Sequence, residues 1–377
     1  MGKSSGTRRL GRRGFLSAAG GLAAAAALGQ ACRVAGTQPD PVSSTATQES
    51  LPARSLSTPT QSTMAIASPT PASLVGKVAL IRTDDRATGV QRLLDLWGQN
   101  PVGGKRVFLK PNLNSADPSP GSTHLDVLRA LFERLWTMGA ASIRLGDRSG
   151  MGDTRGVMRV LGIPTLAAEL GFEMEIFDDL PADGWIAQAA PSGSHWSRGF
   201  AIARPCLEAD VIVQTCNLKT HRYGGHFTLS LKNSVGMAAK QIPGDGHDYM
   251  TELHGSLHQR TMIADLNACY SPGLIVLDGV EAFRDGGPAA GTRAASQLML
   301  AGVDRVAVDA VGVAILRDLG TTAEVSRGRV FAQEQIARAV ELGLGVSEPG
   351  QIEFLTDDSA GRDYSDRLRV LLESPGT

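Results

Sequence analysis

From residue 78 to residue 355, short runs of branched and apolar residues alternate with stretches whose apolar residues recur at helical spacing. That alternation restricts the chain to βα units around a mostly parallel sheet. Residues 78–82, 106–109, 142–145, 173–177, 211–214, 274–277 and 298–300 read as strands, and 352–355 as a terminal one. Residues 89–97 read as an amphipathic helix. So do 125–138, with Leu125, Leu128, Leu131, Phe132 and Leu135 on one stripe behind a Ser122/Thr123 cap. Helices are also expected over 154–161, 164–170, 251–268, 305–317 and 331–342. The expected architecture is α/β: a doubly wound, mostly parallel sheet with helices on both faces, as a single domain over residues 75–372. A body of about 300 residues is long enough for a substantial core, and the chain is 42% hydrophobic.

Residues 1–32 read as an export signal. Arg8, Arg9, Arg12 and Arg13 precede an almost wholly small and apolar run over 18–31, and Arg12-Arg13-Gly14-Phe15-Leu16 has the spacing of the twin-arginine class. The run is short and poor in large side chains, whereas a spanning helix needs roughly 20 apolar residues. Cys32 closes it, so two outcomes stay open: a lipid anchor at Cys32, or ordinary cleavage and a free protein. Residues 33–74 are dominated by Ser, Thr and Pro, the composition of a disordered linker. The expected location is periplasmic or extracellular, with membrane contact only through the signal or the anchor.

A net charge of −1 argues against nucleic acid as a partner, because phosphate neutralisation needs a clustered basic excess. The four cysteines contain no C-x-x-C pair, which argues against an iron–sulfur cluster or a zinc knuckle. Cys206 and Cys216 read either as a disulfide or as two buried thiols flanking a strand. P-loop, H-E-x-x-H and G-x-S-x-G motifs are absent.

In open parallel sheets ligands sit beyond the carboxyl ends of the strands, which makes the residues just after each strand the ones to search. Lys110-Pro111-Asn112-Leu113-Asn114 follows the second strand and offers a cation and amides to an anionic or carbonyl ligand. After 211–214 come Lys219, His221, His226, Lys232, Asn233, Lys240, His247, His254 and His258, so that five of the seven histidines fall in about one tenth of the chain. Two chemistries fit. His254 and His258, four apart on an expected helix, could share a transition metal; or Lys219, Lys232 and Lys240 neutralise an anionic substrate while a histidine moves a proton. Asp278-Gly279, ending the strand at 274–277, suits a metal ligand, a general base or a hydroxyl-binding group. Asp147 and Asp309 read equally well as site carboxylates or as turn and helix-start residues.

Val107-Phe108-Leu109-Lys110-Pro111-Asn112, Leu218-Lys219-Thr220-His221 and Leu229-Ser230-Leu231-Lys232-Asn233-Ser234-Val235-Gly236 resemble the family called domain of unknown function 362. Val276-Leu277-Asp278-Gly279, and the run from Ala301 to Asp309, extend the likeness over nearly the whole body. Some members are iron–sulfur proteins with ferredoxin-like cysteine motifs; those motifs are missing here, so no cluster is carried over. Lys232, Lys240, Pro243, Gly244 and His258 also resemble the layout of lactate racemases, whose His- and Lys-rich segment holds a nickel pincer cofactor. The combined expectation is an enzyme acting on a small anionic substrate, with or without a metal. Its catalytic groups would be His221, Lys232 and Asp278; Lys110, Asn112, Lys219 and Asn233 would bind substrate; His254 and His258 would be the metal ligands. The alternative is a tethered binding protein for an anionic ligand.

Overall fold

The strands carry branched side chains on both of their faces, and both faces are covered. In the computed structural model, which describes residues 74–376, Ala79 and Ile81, Val107 and Leu109, and Leu274 and Val276 pack into one core cluster. Their alternate neighbours Val78, Leu80, Ile275 and Leu277 pack into a second cluster on the opposite face, and Phe108 and Ile212 into a third. Because successive strand residues point to opposite sides, near-continuous apolar runs demand helices above and below. The export signal, the linker and Cys32 lie outside the described residues.

Eleven strands are described: β1 (Gly76–Arg82), β2 (Arg106–Lys110), β3 (Ser142–Asp147), β4 (Glu173–Ile176), β5 (Trp185–Gln188), β6 (Phe200–Ala203), β7 (Val211–His221), β8 (His226–Thr228), β9 (Pro272–Gly286), β10 (Gly291–Gly302) and β11 (Ile352–Thr356). The main sheet runs β11-β1-β10-β9-β7-β2-β3-β4, with β8 on the end of β7; β5 and β6 form a separate hairpin. The sheet is mostly parallel. β10, antiparallel to both β1 and β9, and the short β8 make it mixed. Chain order reverses between β2 and β7: β3 and β4 extend the sheet on one side of β2, and β7 and β9 on the other. A topological switch point of this kind opens a crevice at the strand tips.

Several expected elements change. The strand at 211–214 continues to His221 with every residue buried, so Lys219 and His221 lie on a strand and not in a loop. The strand at 274–277 runs on to Gly286 and pairs with β10 as a long hairpin. The helix expected over 251–268 is two, Tyr249–Gly255 and Gln259–Asp265, broken at Gly255-Ser256. Cys206 and Cys216 are buried free thiols, which settles their pairing against a disulfide.

Candidate functional site

The tips of β2, β3 and β7, with the short helix Ser230–Asn233, enclose a cleft of 480 Å³ at the switch point. Lys110, Asn112, Lys219, His221, Lys232, Asn233 and His254 line it, so all four residues expected to bind substrate and two of the three expected to react meet in one cavity. Asp147, Arg148, Asn114, Thr228, Met151, Met250 and Lys240 complete much of the wall.

Each lysine is held differently. Lys110 is fully buried and donates to Pro111 O at 2.6 Å and Asn233 Oδ1 at 3.3 Å, while its Nζ lies 2.8 Å from Asp147 Oδ1. Asp147 Oδ2 accepts in turn from the backbone of Leu113 at 2.7 Å, tying the exit of β2 to the tip of β3. This pair needs the glycine of the Asn233-Ser234-Val235-Gly236 run: a Cβ on Gly236 would stand 2.3 Å from Asp147 Oδ1 and 2.7 Å from Lys110 Nζ. Lys219, also fully buried, donates to Asn112 Oδ1 at 2.8 Å, to Pro288 O at 3.2 Å and to Gly121 O. Burial, and after it the charge of Lys232, pull its ammonium down to about 7, against three oxygens that hold the proton in place.

Lys232 is the exception. It is 8% exposed, and among the described residues the carboxylates that answer the lysines of the cleft go elsewhere, Asp147 to Lys110 and Asp178 to Lys240. Burial and then the nearby Arg148 pull Lys232 down to about 8. Arg148 is itself buried, with its guanidinium spent on Ala238 O at 2.8 Å and Val235 O at 2.6 Å. His221 stands beside Lys232: a Cβ placed on Gly225 would touch both Lys232 Cε, at 2.8 Å, and His221 Nδ1, at 2.9 Å. Burial first, then the charges of Lys232 and Lys219, hold His221 well below its ordinary range, so its imidazole is neutral. Its Nδ1 has no hydrogen-bond partner, nor have Asn114 Nδ2 and Thr228 Oγ1 on the same wall. Buried polar atoms are nearly always paired, and these three orphans belong to residues that line one cavity. Among the described residues, Arg148, Lys219 and Lys232 on this wall have no carboxylate within ion-pair distance.

Two expectations are corrected. Asp278 does not line the cleft. It alternates with Leu277 along β9 and so lies on the face covered by the helix Arg86–Trp97, where Arg86 Nε donates to its Oδ2 at 2.8 Å. The carboxylate of the cleft is Asp147. His254 and His258 share no helical face, because the helix ends between them: His254 lines the cleft with Nδ1 2.8 Å from Met250 O, while His258 stacks on His195 with ring centroids 3.5 Å apart. Among the described residues no group of three or more His, Cys, Asp or Glu side chains is placed to hold a metal ion. Of the residues read as racemase-like, Lys232 and Lys240 line this cleft, Pro243 and Gly244 line another cavity, and His258 lines neither.

Asp309 acts at one remove. Fully buried on the helix Arg305–Asp318, its carboxylate accepts from Ser230 N at 2.8 Å, Ser230 Oγ at 2.5 Å and Leu231 N at 3.1 Å. It thereby caps the short helix that presents Lys232 and Asn233, which has no cap of its own. Burial pushes Asp309 up to about 7, against those hydrogen bonds.

A mostly parallel α/β body with a buried cationic cleft beyond its strand tips is the class that fold and site define. The chain belongs to the Domain of unknown function family DUF362, which it matches over residues 107–314. It is similar to the thylakoid-associated protein sll1697 of Synechocystis sp., 27% identical over 258 residues, covering 66% of this chain and 74% of that protein. Among solved structures it is similar to the lactate racemase apoprotein of Thermoanaerobacterium thermosaccharolyticum, 12% identical with a TM-score of 0.36, over 77% of this chain and 85% of that one. A likeness that distant assigns no role to any residue here.

Proposed function

We propose that this chain is an enzyme that draws a small anionic substrate into the cleft and moves a proton on it, with Lys232 and His221 as the reacting groups. The observation that carries the reading is the pair itself: an ammonium without a carboxylate and an imidazole with an unpartnered Nδ1, side by side in a buried cavity. A group meant only to hold an anion gains nothing from a depressed pKa. A proton carrier works best with a pKa near the ambient pH, and Lys232 at about 8 meets that condition. His221, neutral in the free protein, accepts a proton from the substrate once the bound anion's charge raises its basicity, Lys232 donates one to an oxygen that gains charge, and Arg148 and Lys219 supply the positive field that draws the anion in. Lys110 and Asp147 keep the strand tips together. The twin-arginine spacing at Arg12-Arg13 supports an extracytoplasmic setting for this chemistry.

The test uses the full chain with malonate, pyruvate and inorganic phosphate, following binding by calorimetry and solvent-deuterium incorporation into the two carbon acids by NMR. At least one anion is expected to bind, with Lys232→Met lowering its affinity tenfold or more and His221→Asn sparing binding while abolishing exchange. Binding without exchange in the wild type would make the chain an anion-binding protein and overturn the enzymatic reading. Failure of all three anions to bind would overturn both.

A further inference from the structure

Lys240 borders more than the cleft. On the far side of that residue lies a second cavity of 650 Å³, lined by Phe177, Leu180, Trp185 and Ile242. Lys240 lines both cavities and Asp178 lines the second, and their ion pair, 3.0 Å from Nζ to Oδ2, stands at the join. The first presents lysines, an arginine and amides among apolar groups such as Met151 and Met250; the second sets Leu180, Trp185 and Ile242 beside Asp178, Lys240 and Gln241, with Phe177 buried and Trp185 edge-on to it at 6.4 Å between ring centroids.

Recessed apolar surface next to a charged pocket marks a place where a ligand changes from polar to apolar. The boundary residue suits that change. Lys240 can lay its methylene stem along an apolar surface while its ammonium stays at the polar end. Its partner Asp178 is fixed independently by Thr154 Oγ1, which donates to Oδ2 at 2.5 Å. Lys240 is therefore the member of the pair free to swing, with a third of its side chain exposed.

We infer that the substrate is an amphiphile, its anionic head in the cleft and an alkyl or aryl chain running past the Lys240–Asp178 pair onto Leu180 and Trp185. The inference rests on the reading of the cleft as an anion site and names the class of molecule that fills it. Inorganic anions and short carboxylates would then be incomplete ligands, occupying the head position alone.

The experiment titrates the full chain with acetate, butanoate, hexanoate and octanoate, and with the matching alkyl phosphates, each below its aggregation limit. Affinity is expected to rise roughly two- to fourfold per added methylene, the range that burial of a CH₂ allows. The indole emission should shift with the longer members and not with acetate, and should lose that response in Trp185→Phe. Leu180→Ser, and separately Ile242→Asn on the rim, should flatten the dependence on chain length. If short anions bind but lengthening gains nothing, or if the gain survives both substitutions, the chain-binding inference is overturned and the anion cleft stands. If no member of either series binds, the anion cleft itself falls, and the two failures are told apart.

Discussion

Lys110 and Lys232 line the same cleft and are almost equally buried, yet they are built for different work. Lys110 has two oxygen acceptors and a carboxylate, Asp147, which in turn receives the backbone of Leu113. Lys232 has no carboxylate, stands near the cation Arg148 and is presented by a one-turn helix capped from elsewhere by Asp309. A buried charge that is answered on every side holds strands together, whereas one left unanswered is poorly placed for stability and available to a ligand. Lys219 sits between the two, with all of its donors used but its partners uncharged.

The contrast can be broken most directly by removing one charge at a time. Lys110→Met leaves Asp147, 2% exposed, without its cation, and breaking a buried pair from one side typically costs about 3–5 kcal/mol. Lys232→Met removes an ammonium that no carboxylate answers, so stability should stay level or rise while anion affinity collapses. Urea unfolding of the two variants measures the difference. Equal losses in both would show that the walls are not distinct and that Lys232 has a structural partner after all.

A smaller effect sharpens the same comparison at Asp309. Asp309→Ala leaves the backbone amides of Ser230 and Leu231 without an acceptor, and an orphaned buried donor costs roughly 1–3 kcal/mol. Because those amides begin the turn that carries Lys232, the substitution should lower anion affinity together with the unfolding midpoint. Lys110→Met, once corrected for folded fraction, should lower it much less. A variant as destabilised as expected but with unaltered affinity would show that Asp309 supports the core without positioning Lys232.

The alternation of apolar runs was enough to read the sheet and its two helical layers, and the strand-tip rule was enough to find Lys110, Asn112, Lys219 and Lys232. It failed at Asp278. Asp278-Gly279 looks like a strand end, but β9 continues through it, and the glycine is there because Leu298 of the paired strand packs where a Cβ would be, 2.8 Å away. The partner of Asp278, Arg86, is remote in sequence, and so is the partner of Lys110, Asp147; ion pairs across such separations leave no local periodicity to read. His258 was misplaced for a different reason. A four-residue spacing implies a shared face only if the helix is unbroken, and Gly255-Ser256 ends it between the two histidines. The orphan atoms of His221, Asn114 and Thr228 are properties of packing alone.

The finest consequence of the contrast is a proton. Lys232 titrates at about 8 in the ligand-free protein, below the ordinary 10.5, because burial and Arg148 oppose its charge. An anion placed against it favours the ammonium and moves its pKa back up. Between about pH 8 and 10 the free amine is largely neutral and the bound one charged, so binding should take up protons, approaching one per site, and affinity should weaken as pH rises through that window. Below about pH 7 Lys232 is charged in both states and its own share of the uptake should vanish. In the absence of ligand the sign for stability is the opposite of a paired lysine's: the unfolded chain holds this proton up to its ordinary pKa, the folded chain releases it near 8, and stability therefore rises with pH across the same interval. Calorimetry in buffers of different ionisation heat reads the uptake directly, and Lys232→Met should erase whatever binding-linked uptake remains measurable. A wild-type binding enthalpy independent of buffer at about pH 8.5 would mean that Lys232 is already charged before the anion arrives, and so is as well answered as Lys110.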